Sequence, residues 1–589
     1  LLTLTTHRTL LEVRDEYDRP FVGKINVLAG QGPAQDYQIP PSEHGTLVLA
    51  TASANQTNTE QSYTFSLQHH LLNLLPSDPS GGGTRTANLT PPAHCAVQTI
   101  YMADRDDDAN WFIANLAPLP RFTIGNRVTL IRDGLATFQE MAQAIRTVRG
   151  ADSYLRLIGW WLSDNFTLIP DDTNSSFAQL SQEVASSGAK LQVLLWDQPG
   201  RQNSAEVDHV NALPHDNGRA ILAKDTLFAG THHQKIMVVQ GLAGPLAFCG
   251  GLDINPDRLD NHRHCVQGKF HDVQAKIEGP AVADLDLTFC QRWDYSSSHL
   301  KSEREFPLLN PMPPPPGPGS QIVQVSRTYP PRKHYDFAPN GDLTTLGAIR
   351  HAIGRAQRFI YVEDQYFYPY PGPYPYAGKD SVGILAALLE ALARPSFEYL
   401  IMLMSNHIDD PPQYRYRRRN FIKTLRDHFP TKLHTYYLAR TCFDDKDTPQ
   451  VQGPADTGDD NSGGRNYPNE VYVHAKTWII DDVFVALGST NCGRRSYTHD
   501  SESSIQVIDQ AIWNGARAFA RNYRMDLWAE HLAMHDPKLR PYLEDPTLAL
   551  SFWQNPLPGA SQRPYDENGH LSLVNTDFTW DHIYDPDGR

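Results

Sequence analysis

His474-Ala-Lys476-Thr-Trp-Ile-Ile-Asp481, followed after six residues by Gly488-Ser-Thr-Asn491, carries the densest chemical signal in this chain of 589 residues. On a β-strand alternate side chains share a face. His474 and Lys476 therefore project into one space, while the apolar run Thr477–Ile480 buries the end of the strand. Val483–Leu487 reads as a second strand that delivers Gly488 and Ser489 beside the pair. Glycine permits close backbone approach to a ligand, and Asn491 adds an amide donor. An imidazole, an ammonium and an amide converging on one spot suit a phosphate.

The same plan occurs about 240 residues upstream. His233-Gln-Lys235-Ile-Met-Val-Val-Gln240 is followed by Phe248-Cys-Gly250-Gly251-Leu-Asp253. Alignment of the copies sets Gly250 and Gly251 on Gly488 and Ser489, and Asp253 on Asn491. His233, not His232, has the right spacing to Lys235. Each copy has a downstream acid, Asp260 lying 27 residues after His233 and Glu502 lying 28 after His474. A carboxylate on the far nitrogen of an imidazole fixes its tautomer; which acid serves which histidine stays open. The expected catalytic set is His233, Lys235, His474, Lys476, Asp260 and Glu502. The expected substrate-binding set is Asn491, Asp253, Gly250, Gly251, Gly488 and Ser489. One H-x-K triplet arises readily by chance, but two copies with the same sequel do not.

Around these motifs the pattern is α/β. Val128–Ile131 reads as a strand, Gly134–Arg149 as a helix, Leu155–Trp161 as a strand, Phe177–Ser187 as a helix and Leu191–Trp196 as a buried strand. After the proline-rich Pro307–Gly319, which suits a stiff connector, Thr344–Ala356 is helical, Phe359–Glu363 a strand, Val382–Ala393 helical and Tyr399–Ser405 a strand. The division expected is a β-rich region over 1–120, a first lobe over 121–306, a linker over 307–320, a second lobe over 321–535 and an extension over 536–589. Trp160, Trp161 and Trp478 are expected in core strands. The Tyr366–Tyr376 loop and the basic run Arg415–Arg419, with Lys423 and Arg426, are candidate membrane contacts. The acidic stretch Phe443–Gly464 is a candidate lid.

Composition narrows the class. Lys and Arg number 52 against 67 Asp and Glu, a net charge of -15, which weighs against a dedicated nucleic-acid binder. No run of apolar residues is long enough for a membrane span. Leu1–Leu11, broken by Thr, His and Arg, does not read as a signal peptide. The 6 cysteines include no C-x-x-C pair, so structural zinc on cysteine is not expected, and one or two disulfides stay open. The pair His262-x-His264 suggests a chelate. Set against it, H-x-K places a cation where an active-site metal would sit, so no metal and no cofactor are expected.

The duplicated motif resembles the mark of the phospholipase D superfamily, H-x-K-x4-D. Phe359-Ile-Tyr-Val-Glu-Asp-Gln-Tyr-Phe367, Phe270-His-Asp-Val with Glu278-Gly-Pro280 and Gln291-Arg-Trp293, and Asp500-Ser-Glu502 resemble further blocks of true phospholipases D, over about residues 122–535. Gln240 departs from the pattern, since only Asp481 completes a motif. The resemblance implies two pseudo-repeated α/β lobes. It implies a metal-independent double displacement in which His233 attacks phosphorus, His474 serves as acid and then base, and Lys235, Lys476 and Asn491 hold the phosphoryl oxygens. The reverse assignment of the histidines stays open. The implied substrate is a membrane glycerophospholipid, phosphatidylethanolamine or phosphatidylcholine, met by peripheral contact. The chain is most similar to phospholipase D effectors of type VI secretion, which implies a secreted protein with an immunity partner and a secretion-spike partner. The competing readings are a metal-independent nuclease and a lipid-binding protein weakened at Gln240.

Overall fold

The computed structural model describes residues 108–568, apart from 199–201, 228–229, 301–304, 370–381, 407–411, 442–469 and 514–515, together with seven strand segments between residues 5 and 101. Expectations placed on Tyr370–Tyr376, Phe443–Gly464, Cys95, Cys442 and the tail beyond 568 fall outside the described residues.

Two compact units form, Leu1–Trp111 with Ile508–Arg521, and Phe112–Val507 with Asn522–Arg589. In the first, Thr5–Arg14 pairs antiparallel with Thr46–Ser53 and parallel with Val97–Tyr101. Gly23–Ala29, Gln35–Ile39, Tyr63–Gln68 and Ala87–Leu89 make a second sheet. Asp108 and Arg517 form a buried ion pair within this unit.

The larger unit is built from two sheets with one plan. In the first, Gly218–Ala223, Lys190–Trp196 and Tyr154–Gly159 run parallel. Ile236–Gly241, Gly244–Gly250, Val273–Glu278 and Thr123–Arg132 follow, each antiparallel to its neighbour. In the second, Leu433–Ala439, Tyr399–Leu403 and Phe359–Asp364 are parallel. Lys476–Ile480 and Phe484–Gly488 follow antiparallel, then Glu502–Asp509 and Gln321–Tyr329. The last strands of the two sheets, Thr123–Arg132 and Gln321–Tyr329, pair with each other. The expected two pseudo-repeated α/β lobes are thus present.

Periodicity explains the elements. Lys190–Trp196 is apolar on both faces because helices cover it, as parallel strands require. Helix Gly134–Arg146 buries Phe138, Met141, Ala142 and Ile145 against that sheet. Residues 305–319 carry neither helix nor strand. Gln562–Pro564 adds an edge strand to the second sheet, pairing with Leu433–Ala439.

Two local expectations are corrected. The first strand ends at Gly159, so Trp160 and Trp161 lie beyond it and are half-buried rather than core residues. Part of the basic run is buried in the fold rather than turned outward toward a membrane. Arg417 and Arg418 are buried, and Arg418 donates to the carbonyls of Ser405 and Asn406. Arg426 pairs with Glu567 and Lys423 with Asp427. His262 is exposed while His264 is buried, so the two do not share a chelation point. Trp478 is buried, as expected. Cys249, Cys290 and Cys492 are buried thiols, and Cys265 is disulfide-bonded.

Candidate active site

Each H-x-K segment enters its strand at the seam between the two sheets. Lys235 stands one residue before Ile236–Gly241, and Lys476 opens Lys476–Ile480. Both lysines curl back onto the carbonyl two residues earlier. Lys235 Nζ donates to the His233 carbonyl at 3.0 Å and lies 3.2 Å from the Asp253 carboxylate. Lys476 Nζ donates to the His474 carbonyl and, at 2.9 Å, to Gln365 Oε1. A lysine side chain carries much rotamer entropy. Two fixed bonds on each remove most of that freedom before any ligand arrives.

The histidines are held across the seam. His233 Nδ1 lies 3.0 Å from Glu502 Oε2 and 3.1 Å from the Ser489 carbonyl. His474 Nδ1 lies 2.6 Å from Asp272 Oδ2. Glu502 belongs to the second lobe and Asp272 to the first, so each lobe supplies the acid for the other lobe's histidine. The backbone makes the same exchange. The His233 amide donates to the Ser501 carbonyl, and the His474 amide donates to the His271 carbonyl. Phe270–His271 pairs in parallel with Glu470–Val473, and His232 bridges to Ser501.

The surroundings differ on the two sides. The Trp160 indole stands edge-on to His233 at 6.2 Å and stacks on Trp196. Phe270 stacks on His474 at 5.7 Å, and the Arg258 guanidinium lies over Phe270 at 4.7 Å. Arg258 Nη2 comes within 3.4 Å of His474 Nε2.

Burial sets the charge balance. It holds the His233 imidazole well below 6.5, with Lys235 and then Lys476 adding to the effect. His474 is held down by burial, then by Lys476 and Arg258. The acids move the other way, Asp272 to about 6 against the pull of Lys476, and Glu502 to about 8 with Asp500 beside it. Burial also lowers Lys476 to about 8. The cluster is thus short of negative charge for its cations and poised around neutral imidazoles. An anionic phosphodiester between the lysines offsets that shortage. The arrangement can deliver a neutral imidazole to phosphorus, a proton to a leaving oxygen, and fixed positive charge to the equatorial oxygens.

His233, Lys235, His474, Lys476, Glu502, Asp253 and Ser489 are brought together. Ser489 donates its hydroxyl to Glu502. Asp253 Oδ1 accepts from the Trp160 and Trp161 amides, so it holds the Trp160 turn as well as Lys235. Asn491 is buried with its Oδ1 unpartnered. Asp260 is placed elsewhere, its carboxylate 2.9 Å from His264 Nδ1, and the acid on His474 is Asp272. The glycines serve strand packing. A Cβ on Gly251 would overlap the Asp272 carboxylate, on Gly250 the Gln274 side chain, and on Gly488 Ser504 and the Ser503 carbonyl. His232 is turned away, Nδ1 to Ser501 and Nε2 to Asp225.

Sequence reading missed Asp272, Arg258, Gln365 and Trp160. Asp272 had a signal, since Phe270-His-Asp272 stands after the first copy as Asp500-Ser-Glu502 stands after the second. Asp481 lies outside the cluster. Its carboxylate accepts the amides of Gln357, Arg358 and Phe359 and so caps a neighbouring strand. Gln240, its counterpart, sits opposite Tyr154 at the same remote end.

The phospholipase D family model matches residues 437–549, which include His474, Lys476, Asn491 and Glu502. Phospholipase D beta 2 of Arabidopsis thaliana is 25% identical over 511 residues, covering 64% of this chain and 55% of that protein. Phospholipase D alpha 1 of Nicotiana tabacum is 24% identical over 516 residues, covering 66% of this chain and 63% of that protein. The chain therefore spans between about half and just under two thirds of the length of these relatives. Among solved structures, a phosphatidylserine synthase from Haemophilus influenzae Rd KW20 matches with a TM-score of 0.44 and 14% identity, over 67% of this chain and 85% of that one.

Proposed function

We propose that this protein is a phospholipase D that cleaves the distal phosphodiester bond of membrane glycerophospholipids, giving phosphatidic acid and the free head-group alcohol. The observation that carries the reading is the pair of H-x-K segments, each with its histidine anchored by the other lobe's carboxylate. His474 takes up a proton when the phosphodiester anion settles beside it and Asp272; His233 Nε2 then attacks phosphorus, and the bond to the head-group oxygen breaks as the His474 imidazolium gives that proton to it. Glu502 and the Ser489 carbonyl hold the His233 ring in place through Nδ1. Lys235, Lys476 and Arg258 face the phosphoryl oxygens. Neutral His474 then takes a proton from water, whose oxygen attacks the phosphohistidine and releases phosphatidic acid with His233 restored. The charges needed along this path come from side chains that the two lobes already hold in place.

Gln240 does not weaken this reading, because its partner position Asp481 ties backbone and faces no reacting group. The acidic charge balance favours lipid over nucleic acid. Phosphatidylethanolamine and phosphatidylcholine are the substrates we favour, reached by peripheral contact. The resemblance to type VI secretion effectors supports a secreted protein acting on a target cell's membrane, with an immunity protein and a spike protein as partners. Vesicles of phosphatidylethanolamine, phosphatidylcholine and phosphatidylglycerol, incubated with the protein and with a His474→Asn control, test the activity. Phosphatidic acid formed only by the unaltered protein is the expected result. Turnover of DNA and of no lipid would replace the reading with a nuclease.

A further inference from the structure

Beneath the catalytic cluster lies a second group of titratable side chains that the chemistry above does not use. Asp133, His264, His271 and Glu530 are all buried, at 1%, 3%, 0% and 4% exposure. One oxygen or nitrogen from each lies within 4.8 Å of all the others. His271 Nδ1 is 2.9 Å from Asp133 Oδ1 and 3.4 Å from Glu530 Oε1, and His264 Nε2 is 3.2 Å from the same Glu530 oxygen. Zinc bonds of roughly 2.0–2.1 Å place tetrahedral ligand atoms about 3.3 Å apart. The outward nitrogens of both histidines are also engaged by carboxylates. His264 Nδ1 is 2.9 Å from Asp260, and His271 Nε2 is 2.9 Å from Glu363. An inward nitrogen with a carboxylate on the outward one is the arrangement of metal-bound histidine. Asp133 Oδ2 is buried without a hydrogen-bond partner.

We propose that Asp133, His264, His271 and Glu530 form a structural site for one zinc ion, with Asp260 and Glu363 as the outer carboxylates that orient the two imidazoles. Buried and wholly protein-ligated, the site suits a structural rather than a catalytic metal. A second constellation, His271 with Glu363 and His531, shares His271 through its other nitrogen. It offers three ligands, and with the ion in the first position it forms the outer shell, as Glu363 Oε1 meets His531 Nε2 at 3.0 Å. Asp133, His264 and His271 come from the first lobe and Glu530 from the second. The ion therefore fastens the lobes one residue from Asp272, which holds His474. The rival occupant is protons, since two imidazoliums among the same carboxylates also balance the charge.

The test is metal content, which does not depend on any lipid activity. The full chain, produced in zinc-replete medium without a metal-affinity tag, is expected to carry about one zinc per chain by plasma mass spectrometry. Removal by dipicolinate should lower the melting temperature, and added zinc should restore it. Cobalt substituted for zinc should give the intense visible band of a tetrahedral site, altered in Glu530→Gln and lost in His264→Ala. The cobalt spectrum of the unaltered protein keeps the test decisive if a variant fails to fold. Protein free of stoichiometric metal, with no thermal response to zinc or cobalt, would overturn the proposal and leave the protonated network.

Discussion

His233 and His474 are held in their neutral forms by burial and by the lysines two residues on, and this fixes the pH behaviour to expect. A nucleophilic imidazole works unprotonated. With the His233 value well below 6.5, lowering the pH toward 6.5 leaves the nucleophile intact, and kcat/KM falls only at more acidic pH. A pH–rate profile on short-chain lipid checks this, and an acid limb centred above 6.5 would refute it. The acids give a second expectation. Asp272→Asn keeps the shape but loses the charge that fixes the His474 tautomer, so kcat should drop roughly 10²–10⁴-fold. Circular dichroism would report an unchanged fold. Single residues of this kind were only partly legible in the sequence. The H-x-K pairs were readable because alternate residues of an extended segment share a face, and Glu502 because it follows the second copy as Asp260 follows the first. Asp272 was passed over for Asp260, and the pairing of either acid was not readable, because each partner histidine lies in the other lobe and chain distance says nothing about that approach.

At the scale of strands, the carboxylate that completes one motif and is missing from the other is a backbone clasp. Asp481 caps three amides, and Gln240 stands at the equivalent end without that task. Gln240→Asp should leave kcat within about twofold. Asp481→Ala leaves three amides without that acceptor, the Phe359 amide fully buried, and should cost roughly 3 kcal/mol in urea unfolding, since a buried loss is worth about 1–3 kcal/mol. Gly251→Ala belongs to the same scale. The methyl would press on Asp272, so activity should fall at least tenfold with the histidines untouched, as steady-state kinetics would show. Helices and central strands were legible because period and burial agree, as in Lys190–Trp196. Element ends were less so. Trp160 escaped its strand because Gly159 ends the pairing, and Arg417 and Arg418 read as surface because a charge run does not reveal carbonyls waiting to accept from it.

Across the whole larger unit, the two sheets repeat one strand order and meet edge to edge. The repeat was legible from the two motifs and their α/β surroundings. The exchange across the seam was not, yet it makes the site a joint product of both lobes: lysine and histidine from one, carboxylate and backbone carbonyl from the other. A covalent intermediate on a histidine at that seam is the centre of this account. The most direct measurement supplies a competing alcohol: phosphatidylcholine or phosphatidylethanolamine vesicles with ethanol, products separated by mass spectrometry, and Asp272→Asn run beside the unaltered protein. The account predicts phosphatidylethanol alongside phosphatidic acid, both strongly reduced in the variant. Phosphatidic acid with no phosphatidylethanol at any ethanol concentration, or equal rates in the two proteins, would contradict it.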